Sequence, residues 1–84
     1  MLYFNINKKK GNVKMVRISI YTEGAAFANE RGNYTNYSKN TEVARILRKL
    51  ADQISDNPDV SWDSVILMDQ NGNSVGSFIS LNEK

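Results

Sequence analysis

From Val43 to Ile54 the apolar residues recur at one spacing, and that spacing constrains the fold more than anything else in the chain. Val43, Ile46, Leu47, Leu50, Ala51 and Ile54 stand at i, i+3, i+4, i+7, i+8 and i+11. This series draws one continuous stripe along a helix of 3.6 residues per turn. Arg45, Arg48, Lys49, Asp52 and Gln53 fall on the other side, with Arg48 and Asp52 spaced to pair across one turn. Ser38, Asn40 and Thr41 compete for the N-cap. Pro58 ends the helix by Asn57, because proline lacks an N–H and clashes with the preceding turn. A helix with one apolar stripe must lay it on another layer.

The flanking sequence supplies that layer. Val16, Ile18 and Ile20 alternate with Arg17, Ser19 and Tyr21, the period of a half-buried strand. Leu2, Phe4 and Ile6 alternate likewise, and Lys8-Lys9-Lys10-Gly11-Asn12 reads as the turn of an N-terminal hairpin. Met15 offers a second reading, in which residues 1–14 are an extension ahead of an internal start. Beyond the helix, Ser64–Met68 and Val75–Ile79 flank Asp69-Gln70-Asn71-Gly72-Asn73. An Asn-Gly pair between two apolar runs is a strong hairpin signal. Gly76 inside the return strand marks a bulge or a close backbone approach. The predicted class is α+β, in the order ββαββ: an antiparallel sheet with one amphipathic helix packed on one face through Val43, Ile46, Leu47, Leu50 and Ile54. Residues 23–40 are left as one long loop, a length that is uncommon in compact domains unless the loop has work to do. No internal repeat is evident.

Eighty-four residues, 40% of them hydrophobic, suit one small domain with a thin core. With no Cys there is no disulfide or thiolate metal site, and with no His the commonest general base is missing. No metal or other cofactor, and no enzymatic activity, is expected. The N-terminus lacks a secretory h-region and no apolar run is long enough to span a bilayer, so a cytoplasmic location without a membrane partner is expected. Asp69, Asn71 and Asn73 imitate the first positions of a calcium loop, but Ser74 and Ser80 stand where Gly and Glu are required. The hairpin turn is the better reading.

Two sets of residues are candidates for binding. Lys8, Lys9, Lys10, Lys14 and Arg17 gather positive charge near the N-terminus, within a first 49 residues whose balance is +7 against −5 for the remainder. They would serve a nucleic-acid-binding protein or simply a solvated hairpin tip that discourages edge pairing. The second set is apolar. One helix covers one face of a sheet, so Ile66, Met68, Phe78 and Tyr21 are expected on the other, a patch that monomers seldom leave bare. Tyr34 and Tyr37, placed in the long loop, either anchor an interface or fold back over the sheet. Because that loop is rich in Asn, Gly and Ser, a homodimer burying the open face is the preferred expectation.

Three segments carry a family likeness: Arg17 through Phe27, Glu42 through Ala51, and Asp69 through Gly76. In this order they resemble small phage-encoded proteins of unassigned function, over most of residues 16–78. Residues 1–14 and the long loop depart from that pattern, so it supports no role placed there. The resemblance implies a phage or prophage origin and an accessory protein that binds and modulates a host or defence protein, as anti-CRISPR proteins do. A nucleic-acid-binding accessory protein using the basic hairpin and the loop tyrosines is the alternative.

Overall fold

A computed structural model describes residues 2–7 and 13–83, with side chains described for residues 15–81. The chain is α+β in the order ββαββ. Strands β1 (Leu2–Asn7) and β2 (Val13–Ile20) precede a 3-10 turn at Ala25–Phe27 and helix α1 (Asn36–Asp56). Strands β3 (Ser64–Met68) and β4 (Ser74–Glu83) follow. All four strands form one antiparallel sheet in the order β1-β2-β4-β3, so β2 and β4 are central and β1 and β3 are edges. Residues 2–7 are thus a strand of the sheet. Lys8, Lys9 and Lys10 lie outside the described residues, as does the side chain of Lys14.

The helix starts earlier than its apolar stripe suggests. Thr35 is the N-cap, and its hydroxyl oxygen accepts the Ser38 amide at 3.0 Å while Ser38 Oγ accepts the Thr35 amide at 3.1 Å. This reciprocal box satisfies two amides that no helical carbonyl can reach. It overrides the expected caps Ser38, Asn40 and Thr41, with Ser38 serving at N3 instead, and it places Tyr37 in the first helical turn instead of a loop. At the other end Asn57 is the C-cap, directly before Pro58.

The core is small. Ala26, Phe27, Ile46, Leu50, Leu67, Val75 and Phe78 are buried, with Val16, Ile18, Ile20, Val43, Ile54 and Val65 packed around them. Phe27 has no exposed surface at all, so the supposed long loop supplies the centre of the core through its 3-10 turn. Leu47 is only half-buried and stands outside this cluster, and Ala51 is exposed. The working stripe of α1 is therefore narrower than its sequence pattern.

Phe78 corrects the expected open-face patch. Cross-strand partners share a face, and Phe78 lies opposite both Val65 and Ile18. That puts it under the helix, 6% exposed, while Ile66 at 61% and Met68 at 52% turn away from the core. The open face around Ile66 is not a continuous apolar surface either, since its row across the sheet runs Ile66, Ser77, Ser19.

Gly76 sits where β4 is pressed against β2. A Cβ there would lie 1.9 Å from the Ser19 carbonyl oxygen, so only glycine permits this approach. The adjoining register shift, between Leu67 and Met68, is the bulge expected near this glycine. The radius of gyration is 15.0 Å, with extents of 53 × 22 × 17 Å. A compact chain of this length would have a radius of about 12 Å, so the molecule is an elongated slab with much surface per residue.

Candidate functional site: a groove between twin loops

Two five-residue loops have the same construction. In Asn29-Glu30-Arg31-Gly32-Asn33 the Asn29 side-chain oxygen accepts the amides of Arg31 and Asn33, each at 2.9 Å. The Gly32 amide donates to the Asn29 carbonyl, and the Asn29 amide to the Asn33 carbonyl, at 2.9 and 2.8 Å. In Asp69-Gln70-Asn71-Gly72-Asn73 the Asp69 carboxylate accepts the amides of Asn71 and Asn73, again each at 2.9 Å. Gly72 donates to the Asp69 carbonyl and Asp69 to the Asn73 carbonyl, at 3.0 and 2.9 Å. Gly32 and Gly72 have φ of 82° and 83°. The left-handed region strains any residue with a Cβ, hence glycine at the fourth position of both. The shared pattern is Asx-x-x-Gly-Asn, and each loop is locked by its own first side chain.

These loops stand beside a groove of about 700 Å³ whose floor is α1. Glu30 and Arg31 come from the first loop and Gln70 from the second. The helix contributes Tyr37, Ser38, Thr41, Glu42, Arg45 and Arg48. Positions 37, 41, 45 and 48 follow i, i+4, i+8 and i+11, one stripe that the apolar periodicity leaves to solvent.

One wall of the groove holds an ion pair between buried Glu42 and half-buried Arg45. Arg45 donates Nε and Nη2 to the two Glu42 carboxylate oxygens at 2.8 and 2.9 Å, a bidentate arrangement. Glu42, 4% exposed, also accepts the Gln70 amide at 2.8 Å, and Arg45 Nη2 reaches the Met68 carbonyl at 3.3 Å. The Arg45 hydrogen bonds hold the Glu42 carboxyl below its ordinary value against the opposing effect of burial, and raise the Arg45 value in turn. Asp69 is lowered chiefly by the Asn73 and Asn71 amides. Helix, β3 and the second loop are thus tied at one point. Ser38 ties the other wall, its hydroxyl donating to the Phe27 carbonyl at 2.8 Å.

Glu42–Arg45 is the one ion pair among the described residues, so the expected Arg48–Asp52 pair does not form and Arg31 and Arg48 present unpaired guanidinium groups. Among the same residues, no three His, Cys, Asp or Glu side chains converge as metal ligands, and no helix is long and apolar enough to cross a membrane.

Of the binding candidates read from sequence, and among the described residues, the groove takes in Tyr37 alone. Tyr34 is tied back through its hydroxyl, which donates to the Glu23 carbonyl at 3.0 Å. Tyr21 is exposed one residue beyond β2, and Arg17 is exposed on the sheet. Ile66 and Met68 line a second, smaller groove of about 160 Å³ between β3 and α1. The sequence reading missed Arg31, Glu42, Arg45 and Gln70 as a group. The signal was present in the two Asx-x-x-Gly-Asn segments, forty residues apart.

Fold and site define a small α+β domain with a preformed groove that carries charged and amide side chains among its lining. Compared with protein-family models, curated proteins and solved structures, the chain shows no match.

Proposed function

We propose that this domain is a non-catalytic binding module that receives an acidic segment of a partner protein in the groove between its twin loops. The observation that carries the reading is the convergence of Arg31, Arg45 and Arg48 on one preformed groove, where, among the described residues, Arg45 alone is paired with a carboxylate. Both walls are closed by their own hydrogen bonds, so little ordering entropy is lost on binding. The amide side chains of Asn29 and Gln70 and the exposed ring of Tyr37 add donors, acceptors and an aromatic anchor. Glu30 among the arginines makes the groove mixed in sign, which suits a polypeptide better than a uniform polyanion. In its most specific form the partner is the host or defence protein that the phage-like sequence segments imply.

Fluorescence anisotropy with a labelled peptide of glutamate, serine and glycine tests this, with an oligouridylate as the comparison. The peptide should bind at low salt, more weakly as salt rises, and more weakly still to Arg31→Ala and Arg48→Ala. Tighter binding of the oligouridylate would assign the groove to nucleic acid. Binding of neither would remove the groove as the site.

A further inference from the structure

Asn71 is the one asparagine in the chain that a glycine follows. That neighbour sets its chemistry. A backbone nitrogen can attack the side-chain carbonyl of the asparagine before it, and glycine has no side chain to hinder the ring that forms. Asn71 and Gly72 are both exposed in the β3–β4 turn, where water reaches them. The twin loop has Arg31 before Gly32, so that loop, folded alike, lacks the reactive pair.

The fold keeps the reacting nitrogen occupied. The Gly72 N–H donates to the Asp69 carbonyl at 3.0 Å, and the Asp69 amide donates to the Asn73 carbonyl at 2.9 Å. Asp69 Oδ1 accepts the Asn71 and Asn73 amides, each at 2.9 Å, and so fixes the backbone on both sides of Gly72. Asp69 is only 5% exposed, so the clamp lies out of water while the pair it holds lies in it. Ring closure needs the Gly72 N–H free and its nitrogen swung onto Asn71 Cγ. Both require the turn to open, and exposed turns open locally without unfolding the domain.

We propose that Asn71 is a modification site gated by Asp69, at which opening of the turn lets the asparagine cyclise and then hydrolyse. The Gly72 nitrogen bonds to Asn71 Cγ and gives up its proton, the Cγ–Nδ2 bond breaks, and ammonia leaves with that proton. Water then cleaves the bond from the ring nitrogen to Cγ or to the backbone carbonyl carbon. The first cleavage yields aspartate; the second yields isoaspartate, whose chain runs through Cβ. Nothing is oxidised or reduced. Either product sets a new carboxylate in the turn that already holds the Asp69 carboxylate. Isoaspartate also adds a carbon to the backbone between Asp69 and Asn73, so one side chain no longer spans both amides. The Gln70 amide, one residue earlier, then loses its place on Glu42. The site is a one-way switch that loosens this wall of the groove, whatever the groove binds.

Incubation of the full chain at mildly alkaline pH tests it, with aspartate and isoaspartate at position 71 resolved by peptide mapping and mass spectrometry. The folded wild type should convert slowly, and the same chain in urea about tenfold faster or more, as the bonds to Asp69 are lost. Asp69→Ala frees both amides and should speed conversion in buffer by about tenfold or more. Asp69→Asn closes the loop as Asn29 does and should keep conversion slow. Asn29→Ala unlocks the other loop and should leave the rate at Asn71 unchanged. A folded wild type as fast as the chain in urea, Asp69→Ala no faster than wild type, Asp69→Asn as fast as Asp69→Ala, or an equal gain from Asn29→Ala would each overturn the proposal. If Asp69→Ala does not fold, the wild type in buffer and in urea and the Asp69→Asn variant still decide.

Discussion

The Glu42 carboxylate accepts two bonds from Arg45, at 2.8 and 2.9 Å, and one from the Gln70 amide at 2.8 Å, and so joins the helix to the β3–β4 turn. Removing it strands a half-buried guanidinium and a part-buried amide together. Glu42→Ala should destabilise the domain by about 1–3 kcal/mol, the lower part of the range reflecting the solvent that still reaches Arg45. Glu42→Gln should fall between the two. Urea denaturation of the three proteins checks the order; equal midpoints would show that this junction bears no load.

The same carboxylates predict how stability depends on pH. Glu42 and Asp69 are both lowered in the folded protein, from ordinary values of 4.5 and 3.8. A lowered group stabilises the fold fully above its unfolded value and loses that contribution as pH falls through its folded value. Stability should hold near neutrality and decline with acidification below about pH 4.5. Asp69→Asn should shrink the acid limb while leaving the turn intact, since Asn29 closes the twin loop with a neutral amide. Melting temperatures of both proteins across the acid range decide the point. An unaltered acid limb would mean that Asp69 does not contribute to it.

Two glycines should differ sharply on substitution. Gly76→Ala drives a Cβ into the Ser19 carbonyl, and should cost about 3 kcal/mol or more. Gly72→Ala meets no atom within 4 Å but must hold φ at 83°, and should cost about 1–2 kcal/mol. Equal losses would contradict the close approach of β2 and β4.

Leu50 and Leu47 make a similar pair. Leu50→Ala empties a buried site and should cost about 2–5 kcal/mol, whereas half-buried Leu47→Ala should cost clearly less. The sequence periodicity ranks the two equally, so this comparison separates pattern from packing.

How far the sequence carries follows from where its signals are local. The α1 stripe, the strand alternations and the Gly72 turn each depend on a few neighbouring residues, and they yield the ββαββ order directly. The start of α1 was hidden because Thr35–Ser38 caps it ahead of the first apolar stripe residue. Phe27 looked like loop because three residues of 3-10 helix carry no periodicity. Phe78 lies on the face opposite the expected one because facing depends on its partners Val65 and Ile18, and no single strand reveals its partners. The groove was the least legible feature. It joins Arg31, Arg45 and Gln70 from three elements, and only the tertiary arrangement makes them neighbours.

The central claim is that the groove between the twin loops is the binding site, and amide chemical-shift mapping tests it most directly. A nitrogen-15-labelled sample titrated with the glutamate-rich peptide should shift the amides of Arg31, Thr41, Arg45, Arg48 and Gln70 together, along one saturating curve. Shifts confined to other parts of the sheet, or none at the highest peptide concentration, would contradict it.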